Sequence, residues 1–172
     1  RLKKLTEDLV EASKASSGAL NVELQPTDVN VLLSQIEGEY QERLAACHLT
    51  LVTQPPAPGT MIQADSRLLS RVMDNLVSNV CKYAMENTRV YVTAAVRDGQ
   101  AVISFKNVSR DELNISPDEL MERFVRGDAS RHSEGSGLGL SIARSLVQLQ
   151  GGTFALSIDA DLFRADIVFP LI

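Results

Sequence analysis

Four polar side chains recur along an otherwise apolar stretch: Arg71, Asn75, Asn79 and Lys82 follow one another at intervals of four, four and three, which places them on one stripe of a helix. Two asparagines in mid-helix need a reason, because the amide competes for backbone hydrogen bonds. A solvated face ordinarily carries Glu, Lys or Gln; that plain reading is weakened here, though it stays open. A neutral amide oxygen with a lysine one turn on suits a phosphate-bound Mg2+, which takes oxygen ligands, keeps several waters and draws the rest from the phosphates.

Further on, Gly135-Ser-Gly-Leu-Gly-Leu140 sets three glycines at alternate positions at the head of a helix. Glycines let backbone approach a ligand closely, and the free N–H groups at a helix start attract an anion. The pattern is not a dinucleotide fingerprint, which should follow a strand, because Arg131-His-Ser-Glu134 precedes it. Nor is it a Walker loop, since no Gly-Lys-Ser/Thr follows. A flexible connection would explain the same glycines. Arg126 and Arg131, in Phe124-Val-Arg-Gly-Asp-Ala-Ser-Arg131, lie just before them and either fold onto phosphates or remain solvated.

The elements that must position these groups can be read from spacing. Leu2, Leu5, Leu9 and Ala12 form the seam of a short helix ending at Ser16-Ser17-Gly18, either the stub of an upstream bundle or a helix packed on its own domain. Asn21–Leu24 reads as a strand, Asp28 as the cap of a helix to Ala46, and His48–Val52 as a second strand, with a loop from Gln54 to Gly59. Asp65 caps a long helix to Ala84, whose apolar side is complete. Val90–Val96 and Ala101–Phe105 flank the Asp98-Gly99 turn as a hairpin. Ser116-Pro-Asp-Glu119 is a capping box for a short helix to Phe124, and residues 125–136 form a loop. A helix from Leu138 to Gln150 stops at Gly151-Gly152, and strands at Thr153–Ile158 and Ala165–Phe169 follow. Three substantial helices with five to seven strands and adjacent hairpins argue for an α+β two-layer sandwich over a doubly wound sheet.

Composition limits what such a domain does. The 172 residues, 44% hydrophobic and 23% charged with ten glycines and six prolines, describe a folded chain with one core. Seventeen basic against 22 acidic residues, a net charge of -5, speak against wrapping nucleic acid or coating an anionic membrane. Cys47 and Cys81 form no C-x-x-C pair and read as reduced buried thiols in a cytoplasmic setting. The only histidines, His48 and His132, offer little for a metal site. No run of 18 apolar residues and no signal peptide is present, so the chain is expected neither to span a membrane nor to be exported. Beginning at Arg1, it reads as a piece of a longer protein.

In this order, the asparagine helix, the arginine-bearing loop and the glycine-opened helix resemble the ATP-binding catalytic domain of bacterial two-component sensor histidine kinases. The likeness runs from about Asn21 to Ile172. Asn75-Leu-Val-Ser-Asn-Val-Cys-Lys-Tyr83 is similar to the family's N box, Met121-Glu-Arg-Phe-Val-Arg126 to its F box and Gly135–Ala143 to its G2 box. The resemblance implies the Bergerat ATP-binding fold, a mixed sheet packed on three helices, with ATP held under a lid at about Val125–Ser136. It implies Asn79 as the Mg2+ ligand, Asn75 and Lys82 near the phosphates, Tyr83 beside the nucleotide, and Arg126 reaching phosphate. Arg131 and the run Gly135, Ser136, Gly137, Leu138, Gly139 and Leu140 would complete the nucleotide-binding set, and Asn79, Lys82 and Arg126 the catalytic one. Residues 1–18 are similar to the end of a dimerisation helix, leaving 19–172 as the ATP-binding domain.

One box departs. The family places an Asp-x-Gly-x-Gly run after a strand, its aspartate accepting from the adenine amino group; here Phe105-Lys-Asn-Val-Ser-Arg110 puts Asn107 at that place, and both glycines are missing. An amide oxygen still accepts, through a weaker neutral bond. Hydrolysing relatives carry a glutamate four residues before the metal asparagine, where this chain has Asn75, and an amide is no general base. Transfer to a supplied acceptor is therefore expected: a histidine on the parent's own dimerisation domain, since neither His48 nor His132 lies in an H-D/E-x-R/K-x-P context. Partners implied are ATP, that domain and a response regulator, in a homodimeric parent that binds no nucleic acid and sits in the cell membrane. A degenerate nucleotide-binding or docking module without kinase activity is the alternative.

Overall fold

Strict alternation along the central strands decides which side of the sheet is covered. The computed structural model describes residues 2–126 and 138–172. Strands β2 (Leu49–Gln54), β4 (Thr88–Arg97), β5 (Gln100–Val108), β7 (Leu162–Pro170) and β6 (Thr153–Asp159) lie side by side in that order, with β2 parallel to β4 and the remaining pairs antiparallel. On one face Val92, Ile103, Phe105, Ala165 and Ile167 are buried, while Tyr91, Thr93, Lys106 and Arg164 on the other keep contact with water. A period of two produces that division.

The buried face is covered by α2 (Val29–Ala46), α3 (Ser66–Tyr83) and α5 (Gly139–Leu149). Their inward stripes, such as Leu33, Ile36 and Leu44, then Leu69, Met73 and Leu76, then Ile142 and Leu146, merge with the sheet into one core. Each fully buried side chain of this size contributes about 1.5–3 kcal/mol. The expected α+β sandwich, a mixed sheet on three helices, is the observed architecture. Shorter pieces complete it: α1 (Leu2–Ser17), α4 (Pro117–Arg126) and a two-stranded ribbon of β1 (Gln25–Asp28) with β3 (Met61–Ala64).

Local chemistry accounts for most boundaries. Asp28 accepts from the Asn30 N–H at 2.8 Å and caps α2, and Ser116 accepts from the Glu119 N–H at 3.2 Å and caps α4. Asp98 and Gly99, at φ of 52° and 73°, make the two-residue turn between β4 and β5.

Four expectations are corrected. Residues 21–24 are not a strand: Leu24 is exposed, the Glu23 N–H donates to Asp65, and pairing begins only at Gln25. Pro26 is tolerated there because β1 pairs on one side only. Strand β3 was not anticipated, since four residues behind a proline-rich loop give too short a pattern to read; Ile62 and Ala64 nevertheless point into the core. Strand β2 begins one residue late, because His48 takes a left-handed φ of 59° after α2. Helix α4 runs on through Val125 and Arg126, two residues into the expected loop.

Candidate functional site

Helix α3 begins at a buried carboxylate. Asp65, 4% exposed, accepts from the backbone N–H groups of Arg67 at 3.0 Å and Leu68 at 3.2 Å, and also from Glu23 at 2.9 Å. Burial alone would raise its pKa, but the N–H groups of Glu23, Leu68 and Arg67, with the Arg67 charge, outweigh that and hold it below the ordinary range. Its own N–H donates to Gln150 Oε1 at 2.9 Å, and Gln150 Nε2 donates to the Leu146 carbonyl. The start of α3 is thereby tied to the end of α5.

That tie brings the start of α5 against the middle of α3. A Cβ added to Gly139 would stand 3.9 Å from the Asn75 carbonyl oxygen. Leu138 precedes the helix with no side-chain cap bond, and Leu140 is buried. The first-turn N–H groups of α5 therefore receive no capping acceptor from Leu138. Beside them Asn75 is 7% exposed, and its Nδ2 donor has no hydrogen-bond partner among the described residues. Asn79 is half-buried one turn on, and Lys82 and Tyr83, also half-buried and both engaged in interactions, close the helix.

The end of β5 is stitched to the end of α3. Met85 N–H donates to the Val108 carbonyl at 2.8 Å and Arg110 N–H to the Tyr83 carbonyl at 2.8 Å. Asn107 is thus carried to the end of α3, 3% exposed, with Nδ2 donating to the Val108 carbonyl at 3.4 Å and Oδ1 without a partner among the described residues. Buried polar atoms are nearly always paired, and an orphan costs about 1–3 kcal/mol. One orphaned donor and one orphaned acceptor fit a molecule that supplies the missing partners.

Of the expected site residues, the fold sets Asn75 beside Gly139 at the start of α5, between Leu138 and Leu140, with Asn79, Lys82 and Tyr83 farther along α3 and Asn107 on the strand stitched to the end of that helix. Arg126 is the last residue of α4; its side chain, like Arg131, Gly135, Ser136 and Gly137, lies outside the described residues, as does most of the expected lid. Arg71, on the same stripe as the asparagines, is turned elsewhere: its Nε donates to Glu11 of α1 at 3.0 Å and its Nη2 pairs with the same carboxylate. Spacing alone could not separate it from the rest. Among the described residues no group of three or more His, Cys, Asp or Glu could hold a metal ion.

Comparison with known proteins bears on the family and the fold. The family model described as histidine kinase-, DNA gyrase B-, and HSP90-like ATPase matches residues 64–167. Over 157 residues the chain is 33% identical to the signal transduction histidine-protein kinase BaeS of Escherichia coli (strain K12), covering 88% of this chain and 32% of that protein. It is similar in fold to ShkA, solved full-length in complex with AMPPNP (TM-score 0.80, 24% identity, 99% of this chain and 36% of that one). A second structural likeness is to the histidine kinase ThkA, solved in complex with the response regulator protein TrrA (TM-score 0.76, 19% identity, 100% of this chain and 48% of that one). The chain spans about a third of the length of the curated relatives it matches.

Proposed function

The chain belongs to the family of histidine kinase-, DNA gyrase B- and HSP90-like ATPases, and from that premise we propose that it is the catalytic domain of a sensor histidine kinase, which binds Mg-ATP and directs the γ-phosphoryl group to a histidine outside this chain. The observation that supports this reading is the pair of buried amide atoms without a hydrogen-bond partner among the described residues, Asn75 Nδ2 on the helix that meets the start of α5 and Asn107 Oδ1 on the strand stitched to that helix's end.

Each residue has a role that follows from its chemistry. Asn79 offers a neutral oxygen to Mg2+, and Lys82 neutralises phosphate charge beside it. Asn75 donates to a phosphate oxygen, the first turn of α5 adds N–H groups and the positive end of its dipole, and Asn107 accepts from the base. Arg126, Arg131 and the glycines from 135 to 137 would close over the phosphates. The bound nucleotide supplies the reactive phosphoryl group; the protein supplies positioning and charge neutralisation, which is most of what phosphoryl transfer requires. Asn75 holds no base, so water is not activated and the group waits for its acceptor.

The acceptor then belongs to the parent's dimerisation domain, of which residues 1–18 are the trailing helix, and the next partner is a response regulator. The complexes reported for ThkA and ShkA support a regulator and a nucleotide as partners. No helix among the described residues is long and apolar enough to cross a membrane; anchoring and homodimerisation are assigned to other segments of the parent, and no nucleic acid is involved. The test is transfer of label from radioactive ATP to a separately supplied dimerisation domain. Phosphohistidine should form and Asn79→Ala should abolish it; labelling that persists in the variant would sink the assignment. Absence of Mg-dependent ATP binding at millimolar nucleotide would favour a docking module without activity.

A further inference from the structure

We propose that the base subsite, resting on the nucleotide-binding reading above, takes 6-oxopurine as well as 6-aminopurine nucleoside triphosphates, because Asn107 puts there an amide that can turn either its oxygen or its nitrogen toward position 6. Asn107 sits on the buried face of β5, opposite Phe163 of β7, at 3% exposure. Among the described residues its side chain makes one hydrogen bond, from Nδ2 to the Val108 carbonyl, and at 3.4 Å this lies at the outer limit of such bonds. That carbonyl already accepts the Met85 N–H at 2.8 Å, so it keeps a partner if the amide turns over.

As it stands, the side chain offers Oδ1, the orphaned acceptor, to an amino group. A half-turn about its last side-chain torsion offers Nδ2, a donor, to a keto oxygen. The turn forfeits one marginal bond and leaves a neutral Oδ1 facing the Val108 carbonyl across that long 3.4 Å gap, a carbonyl whose charge the Met85 N–H already engages; this repulsion is weaker than that of a full carboxylate charge against a keto oxygen at bonding distance. A carboxylate has no such second state: it only accepts, so a 6-keto group would face it as one acceptor against another, both buried. Sites built on a fixed complement reject the wrong partner by orders of magnitude, whereas a reversible amide does not. The neutral amide in place of a carboxylate therefore sets base selectivity in this chain.

Inosine triphosphate is the probe, since it differs from ATP at position 6 and the adjoining N1 proton. Calorimetric titration of the whole chain with Mg-ATP and Mg-ITP should give affinities within about tenfold of each other, the scale of one weak hydrogen bond. Asn107→Asp should widen the ratio beyond about 100-fold in favour of ATP, and Asn107→Ala, which removes both the donor and the acceptor, should bring it to about one. The alanine variant keeps the test open if the buried aspartate prevents folding, as judged by circular dichroism. Tight ATP binding with ITP more than about 100-fold weaker in the unaltered chain, or an ATP preference that stays above about tenfold in Asn107→Ala and so is set by other groups, overturns the proposal and leaves the ATP reading standing. Failure of both nucleotides to bind overturns both.

Discussion

Gly139 and Asn75 meet where the start of α5 abuts the middle of α3: a methyl group on Gly139 would lie 3.9 Å from the Asn75 carbonyl oxygen and 4.0 Å from its Cβ. Those are ordinary contact distances, so the space beside Gly139 holds one methyl and little more. Gly139→Ala should fold with unchanged or slightly higher stability, alanine being the better helix former. Gly139→Val extends past the methyl into Asn75 and should weaken nucleotide binding by about tenfold or more, equivalent to about 1.4 kcal/mol. Calorimetric titration of both variants checks this; a valine variant that binds like the parent would remove Gly139 from the site.

Gly152, at the turn out of α5, has no such room. An added Cβ would stand 2.9 Å from Val147 Cγ1, 2.9 Å from the Val168 carbonyl oxygen and 3.0 Å from Phe169 Cε1. Overpacking of this kind costs about 1–3 kcal/mol. Gly152→Ala should lower the urea midpoint accordingly, since the Val168 backbone cannot give way as a side-chain tip would. An unchanged midpoint contradicts the packing described.

Asp65 links stability to acid. Its folded pKa is depressed from 3.8 by the N–H groups it accepts from, despite burial that acts the other way. A depressed carboxyl stabilises the fold fully above its unfolded value, and the contribution is lost as pH falls through the folded value. Urea midpoints measured from pH 6 down to pH 2 should fall more steeply in the unaltered chain than in Asp65→Asn, which cannot titrate. At pH 7 the asparagine variant should already be less stable by about 1–2 kcal/mol, having exchanged charged acceptors for one neutral oxygen. Parallel pH profiles would refute the linkage.

Cys81 should be unreactive in the folded chain. Burial, first, and then the neighbouring Cys47 thiol push its pKa up to about 12 from 9.0, with Arg43 opposing. The thiolate is the nucleophile, so iodoacetamide at pH 8 should modify Cys81 about 100-fold or more slowly than in urea-unfolded chain, read by peptide mass analysis. The raised value also means that stability present below about pH 9 is lost as pH rises toward 12. Equal alkylation rates in the two states would show the thiol to be open.

Much of this was legible in the sequence because the signals are local. Asp28, Asp65 and Ser116 cap the helices they precede, and the Asp98-Gly99 turn joins the strands it separates. A cap or tight turn is made by residues within a few positions of one another, so spacing suffices to find it. Strand β3 escaped because its partner, β1, lies more than thirty residues away and neither run is long enough to show a period. Arg71 was indistinguishable from its stripe-mates until Glu11, sixty residues back, was placed beside it.

The candidate site divides the same way. Residue types and intervals determined that two asparagines and a lysine share one helix stripe and that glycines open a later helix, because both are properties of a 3.6-residue repeat. Only the tertiary structure decided that the start of α5 meets α3 at Asn75 and that Asn107, from a strand between them in sequence, is stitched to the end of α3 with its oxygen unpaired among the described residues. Those contacts cross up to 85 residues of chain, through Asp65 and Gln150 and through the Val108–Met85 bond. They are chosen by burial of a shared core, which no local pattern encodes.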